Sequence, residues 1–113
     1  MGRRTFDRIK RILAILLLVL FIPALTATSV SAQKTVDVSI QGFAFNPASV
    51  QVSTGDTVKW TNMDSTDHTV TGSTFNSGII HTGQSYEFLF TAPGSYSYIC
   101  SIHPYMKGTV IVV

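Results

Sequence analysis

Apolar and polar positions follow two rhythms along this chain. Residues 12–22 are apolar without interruption. Beyond residue 33 the pattern turns to alternation. Val36, Val38 and Ile40 alternate with polar neighbours, the period of a half-buried strand. Val50 and Val52 continue a second short strand after Asn46-Pro47, and Gly55-Asp56 marks a turn. Residues 57–62 predict a third strand around Val58 and Trp60. Tyr86, Phe88 and Phe90 share one face of another, with Glu87 on the opposite face. Ala92-Pro93-Gly94 makes the next turn. Tyr96, Tyr98 and Cys100 then point one way along a strand, and residues 108–113 supply a last one. No uninterrupted amphipathic helical pattern follows residue 33. Short strands separated by turn residues predict an all-β sandwich or barrel.

The early apolar run has a different meaning. Arg3, Arg4, Arg8, Lys10 and Arg11 precede it, and Pro23 and a stretch of small residues ending in Val30-Ser31-Ala32 follow it. A basic start, an apolar centre and a small-residue exit form a secretory signal. Residues 1–32 are therefore expected to be a signal peptide, leaving a single domain over residues 33–113, about 81 residues long. Arg3-Arg4-Thr5-Phe6 also resembles a twin-arginine signal, although Asp7 and the greasy run fit that route poorly. If the segment stays uncleaved, it is an N-terminal hydrophobic helix that could anchor the protein to a membrane through residues 12–30. The run itself is shorter than the roughly 20 residues a spanning helix needs. Either way the domain is expected outside the cytoplasm, periplasmic or extracellular.

Removing the leader inverts the charge. Of 113 residues only 12% are charged, and the formal net charge is +2. Residues 33–113 keep Lys34, Lys59 and Lys107 against Asp37, Asp56, Asp64, Asp67 and Glu87, a formal charge of −2. No basic patch exists to attract nucleic acid, so that class of partner is excluded. The chain has one cysteine. In an exported protein it has no internal partner for a disulfide and must be a spare thiol or a reactive group.

The surroundings of that cysteine favour the second reading. Cys100, His103 and Met106 recur at intervals of three between the last two predicted strands, so thiolate, imidazole and thioether can converge on one point. A soft thiolate, borderline imidazoles and a weak thioether suit copper cycling between Cu(I) and Cu(II). His68 is the natural fourth ligand, in a polar turn after the Trp60 strand and before Thr69-Val70. His81, between Gly78 and Gly83, competes for that place. Taken singly, a lone Cys is usually a buried small hydrophobe, a loop His is usually surface decoration and Met106 could be core filling. Only the constellation carries weight.

With these residues in view, the sequence resembles the small blue-copper proteins of the cupredoxin family, and among them the amicyanin and plastocyanin branches. The short Cys-x2-His-x2-Met spacing is the amicyanin form. The likeness runs over residues 36–113 and includes residues 42–52, 55–62, His68-Thr69-Val70 and the aromatic approach over 91–100. It implies a Greek-key β-sandwich with one copper near one end. Carried over, His68, Cys100 and His103 are the equatorial ligands and Met106 the long axial one. The order of elements favours His68 over His81, which is then a surface residue. The resemblance further implies a single-electron carrier, not an enzyme. It would act as a monomer in brief contact with a redox donor and acceptor, through an apolar patch around His103, Pro104 and Tyr105. The chain departs from those branches after the first histidine, where they have asparagine and this sequence has Thr69. Hydrogen bonds near the sulfur tune the potential, and the backbone amides near Thr69 and Met106 and the Ser101 hydroxyl are the candidates to supply them.

Two other functions compete. Periplasmic copper storage or delivery favours thioether-rich sites, yet beyond residue 33 only Met63 and Met106 are present. Multicopper enzymes use His-x-His pairs, and His68, His81 and His103 form none.

Overall fold

The computed structural model describes residues 32–113. The leader or anchor expected over residues 1–32, with its membrane contact through 12–30, lies outside the described residues apart from Ala32. The described residues form eight strands and no helix. They are β1 (Thr35–Ile40), β2 (Phe45–Asn46), β3 (Ser49–Val52), β4 (Thr57–Asn62), β5 (Thr71–Gly72), β6 (Ser85–Leu89), β7 (Gly94–Cys100) and β8 (His103–Val112). One sheet has the order β2-β1-β4-β6 and the other β3-β8-β7-β5. β1 pairs β4 in parallel and β3 pairs β8 in parallel; the other ladders are antiparallel. Chain crossings between the sheets produce these parallel neighbours, and the result is the expected Greek-key sandwich.

Alternation decides which faces meet. Val38 and Ile40 of β1, Val50 and Val52 of β3, Val58 and Trp60 of β4, and Val110 and Val112 of β8 all turn into one core. Trp60 stands at its centre, stacked on Phe75 and met edge-on by Tyr98, whose hydroxyl accepts the indole N–H at 3.1 Å. A buried indole N–H needs such a partner, which makes Tyr98 both filler and acceptor. Truncating Trp60 to alanine would cost about 3–5 kcal/mol. Tyr98 lies across Gly108 so closely that a Cβ there would collide with its ring. That position therefore admits no side chain.

The strands differ from the sequence expectation in two ways. β2 and β5 have two residues each, too few to express a period. β8 begins at His103, not at Gly108, so the expected ligand loop shrinks to the turn at Ser101-Ile102. The ladder explains this: Cys100 pairs with His103 after a register shift at Ile99/Cys100. Alternation in β8 starts late, because Pro104 and Tyr105 are both exposed before Met106 turns inward. His103 thus sits half-buried beside the turn, before the regular pleat begins.

Register places the ends. Thr35, Thr57 and Leu89 align at one end of the first sheet, and Ile40 and Asn62 at the other. The second end is where β1 and β4 finish and where the chemistry collects.

Candidate metal centre

β4 ends in Asn62, whose side chain is buried but fully engaged. Its amide donates to the carbonyls of Thr66 at 2.8 Å and Ile80 at 2.9 Å, and its oxygen accepts the N–H of Asp64 at 3.0 Å. The segment after β4 therefore wraps around one amide group. His68 follows it, bonded to Ile80 by a two-way main-chain bridge, with its ring buried. Cys100 closes β7 and is also buried; His103 opens β8 and is half-buried.

These three residues, and no other group of His, Cys, Asp or Glu among the described residues, bring three donor atoms together. Nδ1 of His68 and Nδ1 of His103 are 3.2 Å apart. Sγ of Cys100 lies 3.7 Å from the first and 3.6 Å from the second. A circle through the three atoms has a radius of about 2.0 Å, the bond length from imidazole nitrogen to a borderline divalent ion.

The hydrogen bonds around the triangle orient two of its three donors. Asp64 Oδ2 is 2.8 Å from His68 Nε2. A carboxylate only accepts, so Nε2 donates to it, and Nδ1 is the ring nitrogen that faces Cys100 and His103. The backbone N–H of Thr69 donates to Cys100 Sγ at 3.3 Å, so the sulfur is used as an acceptor. Two imidazole nitrogens and a sulfur at these distances surround a point where one cation can be held. The donor set fits one metal ion, and one thiolate with two imidazoles suits copper or zinc.

Met106 is buried in the core cluster that also holds Cys100, three residues beyond His103. His81 is elsewhere: its side chain is 62% exposed and bonded to Asp67 at 2.8 Å. It stands apart from the triangle, as the order of elements implies. The Thr69 hydroxyl makes three contacts: the N–H of Ser101 at 2.7 Å, and the hydroxyls of Ser101 and Thr71 at 2.9 Å each. Three is the full capacity of a hydroxyl. The Ser101 hydroxyl turns to Thr69, and it is the Thr69 amide that reaches the sulfur.

The family model of the cupredoxin-like domain matches residues 12–112. The chain belongs to the cupredoxin-like family. This cupredoxin is 34% identical over 99 residues to amicyanin-alpha of Methylorubrum extorquens, spanning 79% of this chain and 81% of that protein. Among solved structures, an amicyanin variant in its Cu(I) form superposes with a TM-score of 0.66 at 28% identity, over 70% of this chain and 82% of the other. A purple cupredoxin from Nitrosopumilus maritimus gives 0.65 at 30% identity, over 68% and 98%.

Sequence reasoning missed two participants. Asp64 sits four residues before His68, a spacing that could have marked it as the carboxylate behind the imidazole. Partial burial pushes its pKa up, but the backbone N–H groups of Phe43 and Gly42 and the His68 ring outweigh that, holding the carboxyl below its usual value. Phe43 packs edge-on to both His68 and His103 at 5.2 Å between ring centroids. Only its place after a glycine hinted that an aromatic was being carried on a turn.

Proposed function

We propose that this cupredoxin is a single-electron carrier that holds one copper per chain in a mononuclear type 1 site. His68, Cys100 and His103 would hold the copper, with the Met106 thioether as a weak further ligand. The observation that carries the reading is the triangle of two imidazole nitrogens and one sulfur with sides of 3.2–3.7 Å. Two imidazoles, a thiolate and a distant thioether are the donors of a blue-copper electron-transfer site. The likeness to amicyanins supports it. Copper bound there supplies a one-electron couple between Cu(I) and Cu(II).

The protein's part is to keep the donors still, because a fast carrier must change charge with little movement. Asp64 fixes the His68 ring, the Thr69 amide holds the sulfur, and the Thr69 hydroxyl ties down Ser101 in the turn that follows Cys100. His103, half-buried where His68, Cys100 and Met106 are buried, would offer the electron its exit. Around it, exposed Ile102, Pro104 and Tyr105, the last 66% exposed, offer an apolar patch for brief contact with a redox donor or acceptor. Small contacts of this kind stay below about 1,200 Å² and release quickly. The protein acts as a monomer and a carrier, not an enzyme, since no substrate need touch the metal. It works outside the cytoplasm, a reading supported by the leader-like pattern of residues 1–32.

Copper-loaded protein tests this. One copper per chain, an intense visible band and a narrow paramagnetic hyperfine pattern are expected. A colourless protein that binds no copper one-to-one overturns the reading.

A further inference from the structure

Phe43 holds an unusual position. It has φ 53°, a left-handed backbone that bulky residues rarely adopt, and it follows Gly42 at φ 64°. The residue is 42% exposed, so burial alone does not keep it in place. Yet it meets His68 at an interplanar angle of 90° and His103 at 85°, both edge-on. A strained backbone of this kind persists where its surroundings over-determine it. Here the surroundings are one carboxylate. The N–H groups of these two consecutive left-handed residues turn to the same side and share one carboxylate as acceptor. Asp64 supplies it, accepting from Gly42 at 2.8 Å and from Phe43 at 3.0 Å. Asp64 Oδ2 also receives the His68 ring N–H at 2.8 Å. One side chain thus joins the turn that carries Phe43 to the imidazole that Phe43 touches.

We infer that Phe43 is a positioning residue and lid of the metal centre. The Gly42–Phe43 turn, clamped by Asp64, sets an aromatic ring against both imidazoles. Neither ring can then rotate out of the donor triangle, and small external ligands cannot reach a bound metal from that side. This rests on reading the triangle as a copper site, but the positioning itself needs no metal.

The test uses the full chain in two arms. In the copper-loaded arm, loss of copper to a competing chelator and the response of the visible band to azide are followed. Phe43→Ala is expected to speed copper loss by about tenfold, the scale on which residues that orient ligands alter metal affinity, and to let azide shift the band. Phe43→Tyr keeps the ring and should restore wild-type behaviour. Copper loss at the wild-type rate in Phe43→Ala, or a Phe43→Tyr protein as leaky as Phe43→Ala, overturns the lid. In the metal-free arm, the ring protons of His68 and His103 are followed by NMR. Phe43→Ala should shift and broaden both sets, and Phe43→Tyr should leave them narrow; unmoved, narrow lines in Phe43→Ala overturn the positioning role. A wild-type chain that takes up no copper defeats the copper reading, and the metal-free arm still decides the positioning. Melting of the metal-free variants shows that each is folded, and Phe43→Leu replaces Phe43→Ala should the latter fail to fold.

Discussion

Asp56 and Asp64 stand just before and just after β4, at opposite ends of one strand, and use the same device. Each carboxylate gathers two main-chain N–H groups, with at least one from a segment distant in sequence. Asp56 accepts from Lys34 at 3.1 Å and from Ser53 at 2.9 Å. Asp64 accepts from Gly42 and Phe43. Both are held below the usual carboxylate pKa. For Asp56 the bond from Ser53 leads, burial opposes it, and the main chain and charge of Lys34 add to the lowering. The difference is what else each oxygen touches. Asp56 only closes the start of the domain, whereas Asp64 also grips an imidazole. One structural solution becomes functional when the strand end beneath it carries a histidine.

The largest effect should separate the two ends completely. Cys100→Ser is expected to abolish the visible band of copper-loaded protein, while Asp56→Ala leaves it unchanged; absorption spectra decide. Loss of colour in Asp56→Ala would mean that the ends are coupled.

Stability should show the reverse order. Removing the buried Asp56 carboxylate strands two N–H groups, so Asp56→Ala should lower the melting temperature of metal-free protein by about 5–10 °C. Asp64→Ala should lower it less, because the Gly42 and Phe43 N–H groups lie at an exposed turn where water can replace the carboxylate. Equal losses in thermal melts would erase the distinction.

The acid limb should depend on both aspartates. Each has a folded pKa below its ordinary 3.8. Their contribution is therefore present above pH 3.8 and lost as pH falls below it through the folded values. Urea midpoints between about pH 5 and pH 2 should fall, and Asp56→Asn or Asp64→Asn should each flatten that fall. An unaltered acid slope in both variants would contradict a lowered pKa at either carboxylate.

A separate effect lies between the ends, in the core. Tyr98→Phe leaves the Trp60 N–H without its partner and should cost about 1–2 kcal/mol at neutral pH. Burial raises the Tyr98 phenol above its ordinary 10.0, only partly offset by the bond from Trp60. Its contribution is present below pH 10.0 and lost as pH rises through the folded value. The same variant should therefore flatten the alkaline limb in urea melts.

Much of this architecture was legible because alternation is a local property. Val36, Val38 and Ile40, or Tyr96, Tyr98 and Cys100, announce a strand and its inward face without any knowledge of the rest. The spacing of Cys100 and His103 was equally readable, and so was the distinction between His68 and His81 once element order was considered. β2 and β5 escaped because two residues carry no period. The start of β8 escaped because Pro104 and Tyr105 interrupt alternation, and only pairing with β7 shows that the ladder already runs there.

By itself, the sequence determined the strand faces and the all-β class and marked Cys100 and His103 as candidate donors, since each depends on side-chain type and short-range spacing. The tertiary structure alone decided what surrounds those donors. Phe43, Asp64 and Thr69 act on His68, His103 and Cys100 across gaps of 4 to 60 residues, bridged by parallel pairings and sheet crossings. Hydrogen bonds and ring contacts depend on distances of a few ångströms, and no spacing along a chain encodes those until the strands have been laid side by side.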